Sequence, residues 1–145
     1  MSPIRRVARP LLAATFIAGG AGALVKPAPQ VERVRAAGLT QPERLVRANA
    51  ALMVVSGMAL ATGRFPRLAA LALSASLVPT TAVGHPFWAE KDPDARRLQQ
   101  SHVMKNLGLL GGLLMAVADT GGRESVPHAA GRMSRRARRR LGAAT

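Results

Sequence analysis

Cysteine and tyrosine are absent from the 145 residues, and the aromatic side chains stop at Phe16, Phe65, Phe87 and Trp88. Without a thiol, this chain alone forms no disulfide, no thiolate nucleophile and no iron–sulfur ligation, so any redox chemistry would need a bound cofactor. Acidic residues are scarce as well: seven Asp and Glu stand against 21 Lys and Arg, a net charge of +14. So basic a soluble protein would be expected to bind nucleic acid, with stacking rings among its cations, and the rings are missing. There is no phosphate-binding glycine loop before a helix, no nucleophile elbow and no cluster with metal-ligand spacing. Metal is therefore not expected, and the chain reads as having no catalytic activity of its own.

The cations fall in blocks. Between the blocks run Leu11 to Val25, Ala50 to Gly63 and Leu68 to Gly84 without any Asp, Glu, Lys or Arg. Charge-free apolar runs alternating with basic blocks read as bilayer crossings. The expected architecture is all-α, a four-helix transmembrane bundle with spans at about 10–25, 47–63, 67–84 and 103–119. Each apolar run holds about 16 residues, roughly 24 Å of helix against a hydrocarbon core of about 30 Å, so capped extensions and snorkelling side chains must complete each crossing. Arg5, Arg6 and Arg9 before the first run and Ala21-Gly22-Ala23 near its end also fit a secretory signal, a reading that the later spans oppose.

Local signals place the helix ends. Thr40-x-x-Glu43 with Pro42 reads as a capping box opening the second span. Arg64-Phe65-Pro66-Arg67 leaves room only for a tight turn, so the third span returns antiparallel to the second. Pro79 inside the third span frees a carbonyl that Thr80, Thr81 or a neighbouring helix must satisfy. Asp92-Pro93-Asp94 supplies a capping acid, a first-turn proline and a second acid for the last helix. Between the first two spans, Val31 and Val34 beside Glu32, Arg33 and Arg35 suit a short interfacial helix or an ordered linker.

In lipid, helices associate through small residues that let backbones approach. Gly19, Gly20 and Gly22, then Ser56, Gly57 and Ala61, then Ala70, Ser74 and Ala75, and finally Gly108, Gly111 and Gly112 supply one such set per span. Packing within the bundle is favoured over a dedicated dimer face for the Gly108/Gly112 pair. Residues 1–122 form the membrane domain, and 123–145 a basic, solvated tail. Both termini and the Arg64 to Arg67 turn fall on one side and carry twelve of the 21 Lys and Arg, which assigns them to the cytoplasm. Within the tail, Arg132 to Arg140 suits anionic headgroups, with nucleic acid as the weaker alternative.

Several segments together resemble one known family: Gly63-Arg64-Phe65-Pro66-Arg67-Leu68-Ala69-Ala70, then Val78-Pro79-Thr80-Thr81, Gly84-His85-Pro86-Phe87-Trp88, and Lys105 to Leu114. Their order and spacing are similar to those of DoxX proteins, over about Arg5 to Gly122. The resemblance implies a four-span protein of the bacterial inner membrane. It also implies an association with thiosulfate:quinone oxidoreductase or with assemblies that respond to oxidative and thiol stress. Many members carry an acidic or amide residue four positions before the glycine matching Gly57; this chain has Met53 there and Asn49 one turn earlier.

The polar residues at the outer ends of the last two spans are Thr80, Thr81, His85, Trp88, His102, Lys105 and Asn106. His102, Lys105 and Asn106 stand three or four apart and share adjoining helix faces, so a small ligand pocket with His85 is conceivable, its donors suited to quinone carbonyls. The bland alternative has Trp88 anchoring at the headgroups, Lys105 snorkelling and Asn106 serving the backbone. Asp119 is expected to pair with Arg64 or Arg67 at the cytoplasmic end. The leading functional expectation is a scaffold or accessory subunit beside a membrane redox partner. The second is a quinone-binding oxidoreductase subunit, and the third, a soluble nucleic-acid-binding protein, fits least.

Overall fold

The structure, a computed structural model, describes residues 3–119. Its five helices are α1 Pro3–Val25, α2 Ala28–Ala36, α3 Pro42–Thr62, α4 Pro66–Gly84 and α5 Pro93–Ala118, and no strand occurs among the described residues. All but α2 are long and apolar enough to cross a membrane. The helices outrun the charge-free stretches: α1 starts among its arginines and spans 23 residues, roughly 34 Å at helical rise, which closes its shortfall, while α4, with 19 residues, reaches about 28 Å. The basic segment Arg132 to Arg140 lies outside the described residues.

The four long helices close a ring. α1 packs along α3, α3 on α4, α4 on α5, and α5 returns to α1, while α2 lies across α3 and α4. Phe16, Leu60, Leu73 and Leu113, from all four long helices, are fully buried between them with Ala13, Ala69 and Ala70. Outward, the helices present Leu11, Val55, Met58, Leu71, Leu107 and Met115, each exposed. An apolar exterior is costly in water and matched in lipid, so the chain is a multi-pass membrane protein and the soluble nucleic-acid-binding alternative falls.

Small residues set the closest crossing. A Cβ on Gly20 of α1 would lie 2.7 Å from the Ala50 carbonyl oxygen of α3, and one on Gly57 of α3 would lie 2.7 Å from Ile17 Cγ1 of α1. Glycines at these two points permit the α1–α3 contact, the most extensive in the bundle. The Gly108/Gly112 pair divides: a Cβ on Gly112 would meet Leu12 at 3.3 Å, whereas Gly108 faces open space.

The helix ends follow local chemistry, with one correction. The last helix starts as expected, with the Asp92 carboxylate accepting from the Ala95 N–H at 2.8 Å and Pro93 in the first turn. The α3–α4 turn is a Schellman ending: the Arg64 N–H donates to the Ala59 carbonyl and the Gly63 N–H to that of Leu60, with Gly63 left-handed at φ 73°. The capping box at Thr40 does not form. α3 begins at Pro42, its cap position is Gln41 at φ 54°, and no side chain caps it. Proline disfavours right-handed helical backbone in the residue before it, and the Glu43 carboxylate is taken by Arg35 of the α2 segment at 2.8 Å. Phe65 before Pro66 repeats this left-handed start at φ 48°.

α4 continues through Pro79, with the Thr80 and Thr81 hydroxyls donating to the Ser76 and Leu77 carbonyls at 2.7 Å each. These are the carbonyls next along from that of Ala75, whose usual donor the proline removes. The segment after α1 is the short helix α2, with Val31 buried against the bundle and Gly38 ending it at φ 76°.

Candidate functional site

At the end of the bundle covered by α2, the helices part around a cavity of about 450 Å³. Its floor is apolar, with Phe16, Ala50, Met53, Leu77 and Leu109 from four helices. Polar groups converge toward its mouth: Gln30 and Arg33 from α2, Asn49 from α3, Thr80 from α4, His85 just after it, and Lys105 and Asn106 from α5. A mainly apolar hollow with a few placed polar groups is the usual form of a small-molecule site.

The polar side chains are held by a network across three helices. The Ser76 hydroxyl donates to Asn49 Oδ1 at 2.7 Å, and Asn49 Nδ2 donates to Thr80 Oγ1 at 3.2 Å, which ties α3 to α4. Asn106, buried on α5, donates through Nδ2 to Thr81 Oγ1 at 2.9 Å, which ties α5 to the other side of α4. Among the described residues no buried side-chain polar atom lacks a partner. In an apolar medium such bonds hold the helices in register, because breaking one leaves a polar group facing hydrocarbon or an empty pocket.

At the mouth, His85 Nδ1 donates to Gln99 Oε1 at 2.7 Å, and its ring stacks on that of His102 with centroids 4.7 Å apart. Burial lowers the His85 pKa below the ordinary 6.5; the Gln99 bond opposes this, and His102, Arg33 and Lys105 add to the lowering. Neutral His85 that donates through Nδ1 keeps Nε2 as an acceptor.

Of the residues singled out in the sequence, Thr80, His85, Lys105 and Asn106 line this one cavity. Thr81 supports Asn106 from behind, and His102 stacks on His85 without lining the hollow. Trp88 does not join them; it is exposed and meets the Phe87 ring edge-on at 5.2 Å. Gln30, Arg33 and Ser76 were not anticipated, and their types are too common in basic or polar segments to mark a site. Asn49 had a readable signal, an amide one helical turn before the position where Met53 stands, and it is the α3 side chain that bonds to Ser76 and Thr80 of α4.

The ion pair at the opposite end needs correction. The Asp119 carboxylate is bound by Arg5 at 2.9 Å and Arg9 at 3.2 Å, both on α1, rather than by Arg64 or Arg67. Arg67 reaches the same residue through its main-chain oxygen, Nε donating at 3.2 Å. The physical reason is the closure of the ring: α5 returns beside α1, and the arginines one turn apart on α1 meet its end.

The DoxX family model matches residues 5–86, more than half of the chain. The chain belongs to the DoxX family. Neither a curated relative nor a solved structure matches it. The DoxX match spans α1 to α4 and ends just past His85; α5, which brings Gln99, His102, Lys105 and Asn106, lies beyond the matched residues.

Proposed function

We propose that this DoxX protein is an accessory subunit of a membrane redox or oxidative-stress assembly, and that it holds a quinone in the cavity beneath α2. The observation that carries the reading is the convergence of His85, Lys105 and Asn106 at the mouth of an apolar hollow of about 450 Å³. The residues present fit such a guest. Phe16, Met53, Leu77 and Leu109 suit a ring and the start of a tail, and Lys105 and the remaining Asn106 N–H suit carbonyl oxygens. A bound quinone would supply the two-electron, two-proton chemistry that the thiol-free chain lacks. The chain's own part is to orient the ring, exclude water from below and present donors from above. With no catalytic cluster in its sequence, the subunit works beside a redox partner rather than alone.

The expected placement is the bacterial inner membrane, with the Arg5, Arg9, Arg64 and Arg67 end toward the cytoplasm and the cavity mouth toward the other face, as the distribution of cations supports. The test is extraction of the protein, purified in mild detergent, for bound quinone, followed by titration with a short-tailed quinone. Retained or added quinone that Val83→Phe displaces by narrowing the wall supports the reading. A protein that is empty and takes up no added quinone refutes it, and leaves the scaffold role as the alternative.

A further inference from the structure

The charges around the cavity are sorted in an unusual way. Its lining includes Arg33, Lys105 and His85 and no Asp or Glu. Five carboxylates lie on this side of the bundle, and each is engaged elsewhere. Glu32 and Glu43 both bind Arg35, at 2.8 Å each. Glu90 accepts from the Lys91 and Asp92 N–H groups, Asp92 caps α5 through Ala95, and Asp94 sits 4.0 Å from Arg97. Among the described residues neither Arg33 nor Lys105 has a carboxylate within ion-pair distance. Arg35, two residues from Arg33 and directed away from the hollow, thus gathers both glutamates and leaves the cavity mouth positive.

We propose that the cavity selects a single-chain amphiphile with an anionic head, whose charge is met by Arg33 and Lys105 and whose apolar part lies along Phe16, Met53, Leu77 and Leu109. The shared chemistry is one ionised oxygen acid on one tail, supplied either by an ionised hydroxyquinone or by a fatty-acid carboxylate. This rests on the reading of the cavity as a ligand site and adds charge selection to it. Two cations that meet no carboxylate among the described residues, at the edge of an apolar hollow, lower the energy of a bound anion and do nothing comparable for a neutral ligand of the same shape. The field of the same two cations reaches His85, whose protonation it opposes.

The experiment uses the full chain in phosphatidylcholine nanodiscs and two pairs of probes matched in tail length. One pair is a 2-hydroxy-3-alkyl-naphthoquinone, ionised at neutral pH, with its 2-methoxy counterpart; the other is oleate with oleyl alcohol. The wild-type protein binds the charged member of at least one pair more tightly, and the pair that discriminates identifies the source of the head. Arg33→Gln weakens the charged member by about fivefold, the value of one basic residue beside an anion, and leaves the neutral member unchanged, and Lys105→Gln, at a residue that also donates to carbonyl oxygens, weakens the charged member by more than it weakens the neutral one. Lys105→Arg keeps the preference, and Arg96→Gln, outside the lining, changes neither affinity. Both glutamine changes remove exposed side chains with no ion partner among the described residues, so the fold is retained and the comparison holds. Equal binding of charged and neutral members, or equal losses in both, overturns charge selection while leaving a quinone site standing. No binding of any probe overturns both.

Discussion

The α1–α3 crossing permits a sharp test, because two glycines of one helix stand in opposite surroundings. Gly20 is buried, and a Cβ there would come to 2.7 Å from the Ala50 carbonyl oxygen and 3.0 Å from Met53 Cβ. Gly22, two residues on, has nothing within 4 Å. Replacing either by alanine gains about 1 kcal/mol of helix propensity, so that gain cancels in the comparison. What remains is the overpacking at Gly20, typically about 1–3 kcal/mol, and the nearest atom belongs to the main chain of α3, which cannot turn aside. Gly20→Ala is therefore expected to be less stable than Gly22→Ala by about 1–3 kcal/mol. The assay is reversible unfolding in mixed micelles followed by far-ultraviolet circular dichroism. Gly57→Ala adds a second arm: its obstacle is Ile17 Cγ1 at 2.7 Å, a side-chain atom, so Ile17→Ala relieves Gly57→Ala. No truncation of Met53 relieves Gly20→Ala to the same degree. If Gly20→Ala and Gly22→Ala unfold together within about 0.5 kcal/mol, close backbone approach does not hold α1 to α3 and the reasoning is wrong.

Three further outcomes are expected. Asn49→Ala removes the bonds to Ser76 and Thr80 and costs about 0.6–1.7 kcal/mol, the range for polar contacts between membrane helices; the same micelle unfolding measures it. Asp119→Ala leaves Arg5 and Arg9 without their shared carboxylate and costs about 1.5–3 kcal/mol, and an unchanged unfolding midpoint would contradict the clamp. The depressed pKa of His85 means that the unfolded chain takes a proton at higher pH than the folded one. Its contribution to stability is therefore complete above the unfolded value of about 6.5 and declines as pH falls from there toward the lower folded pKa. Stability measured across that window should slope less in His85→Gln, and ring resonances titrating above 6.5 would contradict the sign.

Much of the architecture was legible because the signals are local. Runs without charge, a proline and two acids at the start of α5, and a four-residue link between apolar stretches each depend on a few neighbouring residues, and the helices stand where those signals lie. The failures were also local in origin. Thr40 and Glu43 have capping-box spacing, but proline at position 42 sends Gln41 left-handed and Arg35 captures the glutamate, so a competing partner eight residues away defeated a pattern that spans four. The site was half legible: residues on one helix face, such as Lys105 and Asn106, announce themselves by spacing. Arg33, Ser76 and Gln99 acquire meaning only from what another helix sets beside them.

Alanine- and leucine-rich runs alone determined that this chain folds as helices in lipid, because each span satisfies its backbone internally whatever its neighbours do. Tertiary structure decided which of several equivalent arginines meets Asp119, which glycines touch a backbone, and that α2 roofs a cavity whose Arg33 and Lys105 meet no carboxylate among the described residues. Those outcomes depend on the order in which the helices close their ring. In a chain where every span offers small residues and arginines stand at both ends of the bundle, composition cannot rank the choices; only simultaneous packing of all four cylinders can.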